Sequence, residues 1–352
     1  MSKNRVVYMD VLRILATVAI VIVHVCAQDW SAAPLDSTRW LVYNVGDSVC
    51  RWGVPAFLMI SGALFLNPEK ELNIKRLYTK NITRMVTAFA FWAIVYTVYA
   101  VMGNKYNWEQ IATMLIKGKG HMWFIILIIA MYIAVPVLRS VTKDEKLMRY
   151  FLISSFMLTV VAQTVLISIV PLIDNSKVKL ILNLLKADYQ EMGIGSIIGY
   201  SFYFVLGYYL SSREQKRIEK ILAYVGALVG FVATIILTHI ASEKLGNKHM
   251  GFYGNMTLNV FLQCVGMFVI VKNIKWNLGK ILTKCLQTVS SWCFGIYLVH
   301  ELLILILGRV GISVWAFHPV ISVPLVAGSV FVVGLVISAI LHQIPVLKKY
   351  IV

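Results

Sequence analysis

Continuous apolar runs of close to twenty residues alternate with short polar stretches along the whole chain. The pattern predicts ten membrane-spanning helices, at roughly 11–28, 41–66, 85–103, 121–138, 150–171, 195–211, 220–241, 253–271, 289–308 and 317–341. Each run is near the ~20 residues that a helix needs to cross a bilayer. The two-residue alternation of a membrane barrel is missing, so the backbone has to satisfy its own hydrogen bonds as helices. The expected fold is therefore an all-α polytopic helical bundle. No Gly/Ser-rich linker or composition shift divides it, and residues 1–352 read as one integral domain. Three connecting segments are long enough for structure of their own: 67–84, basic and helical along the inner surface, then 104–120 and 174–192 on the outer side.

Composition agrees with this pattern: 59% of residues are hydrophobic and 14% charged, with a mean hydropathy of +0.77. A soluble domain carries about a quarter charged residues. A formal charge of +17 would point a soluble protein toward nucleic acid, but here its placement matters more than its size. With the N-terminus inside, alternating loops put 21 Lys and Arg on the inner side, Lys3 and Arg5 among them, and ten on the outer, with Arg13 and Arg51 inside spans. The positive-inside rule then places both termini in the cytoplasm and gives no reason to invoke a nucleic-acid partner. A signal peptide is the alternative for the N-terminus, but Arg13 and His24 would interrupt its apolar region. Five cysteines show neither a paired CxxC nor metal-ligand spacing, so no disulfide and no metal are expected.

Ionisable side chains within the apolar runs are the candidates for chemistry, because each is costly in hydrocarbon and by default marks function. Arg13 and His24 lie eleven positions apart in the first span. On a helix that is about three turns, which puts both on nearly one face some 16 Å apart. Asp10, three residues before Arg13, can pair with it at the inner edge; the alternatives for Arg13 are a snorkelling boundary residue and a binder of an anionic ligand. His24 lies deeper, as either a hydrogen-bonded link between helices or a general base for a hydroxyl. Asp47 and Arg51 stand in the favourable i, i+4 order in the second span, as a structural pair or a ligand clamp. They are followed by the small residues Ser61 and Gly62, which permit close helix contact.

The fourth span opens with His121, which fits a solvated end of the span, and Trp123, which fits an interfacial belt. In the ninth, Tyr297 and His300 share a face, and Glu301 beside His300 demands buried partners. His239, His249, His318 and His342 fall near span ends or in loops and carry no expected chemistry. Lys75, Arg76, Lys80 and Arg84 follow from positive-inside topology, though they can also attract a polyanionic cytosolic cofactor.

Four blocks in order resemble the acyltransferase type 3 family of ten-span membrane acyltransferases. They are Tyr8-Met-Asp10-Val-Leu-Arg13 with His24, forming the Arg-x10-His motif; Arg51-Trp-Gly-Val-Pro55 through Ser61-Gly62; His121-Met-Trp123-Phe through Tyr132 and Pro136; and Phe294-Gly-Ile-Tyr-Leu-Val-His300. Two departures stand out: Ile14 follows Arg13 where a small residue is common, and Glu301 stands where Pro commonly follows the histidine.

The resemblance implies transfer of an acyl group, usually acetyl from cytosolic acetyl-CoA, to a sugar hydroxyl of an envelope glycan or lipid-linked saccharide at a bacterial plasma membrane. In that setting Arg13, with Arg76 and Arg84, would hold the CoA phosphates, and the helix length to His24 is of the order of a pantetheine arm. His24 would be the base and Arg51 or Tyr297 the oxyanion donor, while His121 and Trp123 would receive the glycan. His300 and Glu301 would support the site. The rival reading is a transporter or flippase of a lipid-linked sugar in which no bond is made. Besides membrane lipids, a second copy of the chain is a possible partner, and the sequence leaves the oligomeric state open.

Overall fold

The computed structural model describes residues 6–352; Lys3 and Arg5, counted above with the inner-side cations, lie outside the described residues, as do the side chains of Ser196 and Ile197. The described residues form helices α1 (Val7–Trp30), α2 (Thr38–Ser48), α3 (Gly53–Phe65), α4 (Ile74–Val101), α5 (Trp108–Lys117), α6 (Trp123–Lys143), α7 (Glu145–Leu172), α8 (Ser176–Glu191), α9 (Gly199–Ser212), α10 (Arg217–Leu245), α11 (Leu258–Asn273), α12 (Lys280–Arg309) and α13 (Pro319–Leu341). No strand occurs among them. The protein is an all-α polytopic bundle.

Nine helical stretches among the described residues are long and apolar enough to cross a membrane, with α2 and α3 together making one. The remaining expected span, 195–211, is the 14-residue α9, preceded by the helical turn Ile194–Ile197 with only Ile198, itself in the αR region, between them. α9 alone is about 21 Å long, and the preceding turn brings the pair close to the ~30 Å of a hydrocarbon core. The chain crosses there. Lys244, at the end of α10, donates to the Leu172 carbonyl (2.8 Å) and pairs with Asp174 (2.6 Å), so α7 and α10 end on the same side. The Lys244 ammonium also holds the exposed Asp174 carboxyl below its ordinary carboxylate value. A helix of 29 residues is about 43 Å long, so α10 starts on the opposite side, and α9 has to bridge the two faces.

At the other face, Lys272 of α11 donates to the carbonyl of Leu210 near the end of α9 (2.6 Å). Thr87, midway along α4, donates to Tyr350 close to the C-terminus (2.5 Å). Arg13, near the start of α1, and Arg84 line one cavity there, so both chain ends lie on one side, the inner side by loop charge.

α9 is enclosed by protein. Tyr203, Phe204 and Val205 of α9 are fully buried, and its backbone lies directly on α3. A Cβ at Gly62 would sit 1.7 Å from the Phe204 oxygen, and one at Gly207 would sit 2.0 Å from the Met59 oxygen. Glycine at these positions lets backbones meet where any side chain would collide. Gly207→Leu should therefore separate α9 from α3, at a cost near or above the ~3 kcal/mol typical of severe overpacking. Thermal unfolding in detergent checks it: an unchanged melting temperature would mean that the helices do not meet as closely as described.

Two local readings change. Segment 67–84 is not a surface helix throughout. Asn73 caps a helix beginning at Ile74 that runs straight into the membrane span, while Arg139 donates to the Asn67 and Lys70 carbonyls and pins the preceding loop. The second span is broken at 49–52. Pro55 has no N–H for the ladder, and the carbonyls of Ser48 and Val49 at the break are satisfied by Gln263 (3.1 Å) and Trp52 (3.0 Å) instead. Such an interruption survives at membrane depth only where protein partners replace the lost bonds.

Candidate active site

α1 packs against α2, α3, α12 and α13, so its polar stripe faces protein rather than lipid. His24 projects from this stripe onto Glu301 of α12, with Nδ1 2.6 Å from the carboxylate Oε1. A carboxylate accepts, so Nδ1 carries the proton and Nε2 presents a lone pair. Neither side chain is sealed off, His24 being 28% and Glu301 18% exposed.

Behind the pair stand two buried imidazoles. The His300 ring centroid lies 4.9 Å from that of His24, and the His121 centroid lies 4.8 Å from His300 and 6.2 Å from His24. His300 Nδ1 donates to the Tyr297 carbonyl (2.5 Å), which leaves Nε2 as an acceptor buried without a hydrogen-bond partner. Tyr297 in turn donates its hydroxyl to the His121 carbonyl (2.5 Å). Tyr96 braces α12 beside Glu301: its hydroxyl donates to Leu298 O (2.9 Å) and accepts from Leu302 N (3.1 Å). Those two groups pair with each other in a regular helix, so Tyr96 fixes the turn that carries the carboxylate.

Cavities approach this cluster from both sides. The inner one, about 320 Å³, runs from Arg13, Arg84 and Ser290 past Phe57 and Phe294 to Phe124 and Tyr297. Arg13 donates to Ser290 (2.7 Å) and pairs with the buried Asp10 (3.4 Å), while Arg84 lies over the Phe294 ring at 5.3 Å. The inner cavity shares Leu64 and Phe65 with a surface groove that carries Lys70, Arg76, Lys80 and Arg139. On the other side a cavity of about 570 Å³ is lined by His24, Glu301, Gln28, Tyr99, Arg309 and Trp315. α1 and α12 line both cavities, Arg13 and Ser290 the inner one and His24 and Glu301 the outer.

A family model described as an acyltransferase domain matches residues 6–343, nearly the whole chain. The chain belongs to the acyltransferase type 3 family. It matches no curated protein and no solved structure. The membership favours a membrane acyltransferase over a carrier that makes no bond.

Within this acyltransferase the sequence candidates separate into groups. Arg13, Arg84, Asp10 and Tyr297 gather around the inner cavity, and Arg76 lies in the adjoining groove. His24, His121, His300 and Glu301 form one cluster. Arg51 lines neither cavity: it pairs with the buried Asp47 (2.5 Å) and lies 4.1 Å over the Tyr253 ring. Tyr253 is itself hydrogen-bonded to Trp30 (3.2 Å) and Asn44 (2.5 Å), so Arg51 here braces the broken second span. His121 is buried, not a solvated span end, and Trp123 pairs with Tyr200 at 5.7 Å rather than lining the cavity that holds His24.

Ligand atoms of His24, His300 and Glu301 all lie within 4.8 Å of one another, so these three could hold a metal ion. Sequence reasoning missed Tyr96, Tyr99, Gln28, Arg309 and Trp315. Tyr96 lies within an apolar run and Arg309 at a span end, where an aromatic and a cation are ordinary, and nothing in their spacing ties them to His24.

Proposed function

We propose that this membrane acyltransferase moves an acetyl group from cytosolic acetyl-CoA to a sugar hydroxyl of a cell-envelope glycan, at the outer side of a bacterial plasma membrane. One observation supports this reading above the others: the helix pair α1 and α12 presents cations to an inner cavity and a histidine–carboxylate pair to an outer one. The nucleotide phosphates occupy the basic groove and the Arg13–Arg84 end, and the pantetheine arm lies among Phe57, Met85 and Ile128. The thioester reaches the level of Tyr297, and the acceptor comes from the outer cavity.

His24 Nε2 takes the hydroxyl proton as the sugar oxygen attacks the thioester carbonyl carbon. The C–S bond breaks, the departing thiolate recovers the proton from His24, and acetyl ester and CoA thiol result. Glu301 holds the imidazole tautomer and offsets the positive charge that develops on it, as an orienting carboxylate does in a triad. Within the family the same sequence blocks resemble the O-acetyltransferase acting on enterobacterial common antigen, and that glycan is the first acceptor to try. No step requires a metal.

Purified protein in proteoliposomes, given radiolabelled acetyl-CoA and an envelope glycolipid, tests the proposal. Label on the glycan supports it. Glycolipid movement without labelling would support a flippase instead. Arg13→Ala should weaken acetyl-CoA binding about 10- to 100-fold, the worth of one charged hydrogen-bonding group at ~1.5–3 kcal/mol, as read by calorimetry. Unchanged affinity would remove Arg13 from the donor site.

A further inference from the structure

The outer cavity holds a cation that the transfer step does not use. Its one carboxylate among the described lining residues, Glu301, is hydrogen-bonded to His24. Arg309, at the end of α12, is exposed to the cavity and lies 4.6 Å over the Tyr99 ring. Lys119, just before α6, lies within electrostatic reach of Glu301 and His121. Among the described residues neither Arg309 nor Lys119 has a carboxylate at ion-pair distance. Beside Arg309 the half-exposed Trp315 offers a flat apolar face and Gln28 an amide. An aromatic platform, a hydrogen-bonding amide and an unpaired guanidinium in one cavity make up the chemistry that recognises an anionic saccharide.

We infer that the acceptor carries a negative charge and that Arg309 selects it. This rests on the acyltransferase reading above and specifies its substrate class. Eight residues separate Glu301 from Arg309 along α12, a rise of about 12 Å. That is longer than one pyranose ring. The anion therefore sits not on the sugar being acylated but on its neighbour, as a uronate, or on the diphosphate through which a lipid carries the saccharide. Trp315 covers the ring between them. Guanidinium stacking on Tyr99 holds the fork in place without neutralising it, so the charge remains available to a ligand.

Binding separates this inference from the transfer reaction. The full-length protein in detergent is titrated, without acetyl-CoA, with three probes: a disaccharide glycoside bearing a uronate on the second ring, its neutral methyl ester, and the same neutral disaccharide on a polyprenyl diphosphate. The charged probes should bind at least tenfold tighter than the ester. Arg309→Gln should erase that preference while leaving ester binding within twofold, and Arg309→Lys should restore part of it. Preference for the uronate probe alone identifies a charged glycan, and preference for the diphosphate alone identifies the lipid carrier; either supports the inference.

Equal affinity for the ester and both charged probes, or an Arg309→Gln protein that keeps the preference, overturns it. Selective binding without acetyl transfer to any probe would instead sink the acyltransferase mechanism and leave Arg309 as an anion site. Transfer without charge selection would do the reverse.

Discussion

His24→Ala lowers kcat for acetyl transfer by 10²- to 10⁴-fold while acetyl-CoA affinity stays within twofold. The range is what a positioned general base contributes, about 3–5 kcal/mol of barrier. The split between kcat and affinity follows from location, because His24 lines the outer cavity and the groups assigned to the donor line the inner one. Alanine at position 24 removes the Nε2 lone pair and leaves space at the side of the outer cavity. Since His24 is partly exposed rather than a core residue, the protein should still insert and run as a monodisperse species. Single-turnover rates with preloaded acetyl-CoA are the measurement, and a well-folded His24→Ala protein that transfers at a near-normal rate would end His24's role as base.

Glu301→Gln should cost at least ~10²-fold in kcat, again with little change in donor affinity. Gln keeps the length of Glu and its amide oxygen can accept a hydrogen bond from Nδ1–H, so the loss reports charge rather than shape. An amide does not offset the imidazolium formed as the hydroxyl proton is taken, and its NH2 can also donate to Nδ1, which would place the proton on Nε2 and remove the base. Glu301→Asp, which keeps the charge but shortens the reach to His24, should recover part of the activity. Because the two groups act as a unit, the double variant His24→Ala/Glu301→Gln should be hardly slower than His24→Ala alone. Losses that multiplied in full would mean that Glu301 acts somewhere other than on His24. Wild-type rates in Glu301→Gln would reduce the 2.6 Å contact to a link between helices.

Much of the fold was legible because membrane helices obey a local rule. Each must be apolar for about twenty residues, and the loops carry the charge asymmetry, so span positions and orientation can be read one segment at a time. The rule found the span at 195–211 but not what α9 packs on: its place against α3 depends on Gly62 and Gly207 meeting backbone on another helix. The break at 49–52 was hidden for a similar reason: Gln263, more than two hundred positions away, satisfies the carbonyl that the break exposes.

The same division runs through the site. A single helical period placed Arg13 and His24 on one stripe of α1, and the cost of ionisable groups in hydrocarbon marked both, with Glu301, as residues needing a reason to be there. Periodicity within one helix says nothing about which other helix it faces. Only packing of α1 against α12 gave Glu301 its partner, with His121 and His300 enclosed behind it, and only contacts between other helices placed Arg51 in the brace of the broken span and Trp123 against Tyr200. The sequence by itself determined an all-α membrane bundle with a costly polar stripe. The tertiary structure decided that the two ends of the stripe line two separate cavities, since hydrogen bonds and enclosed volumes arise between helices that are distant in the chain.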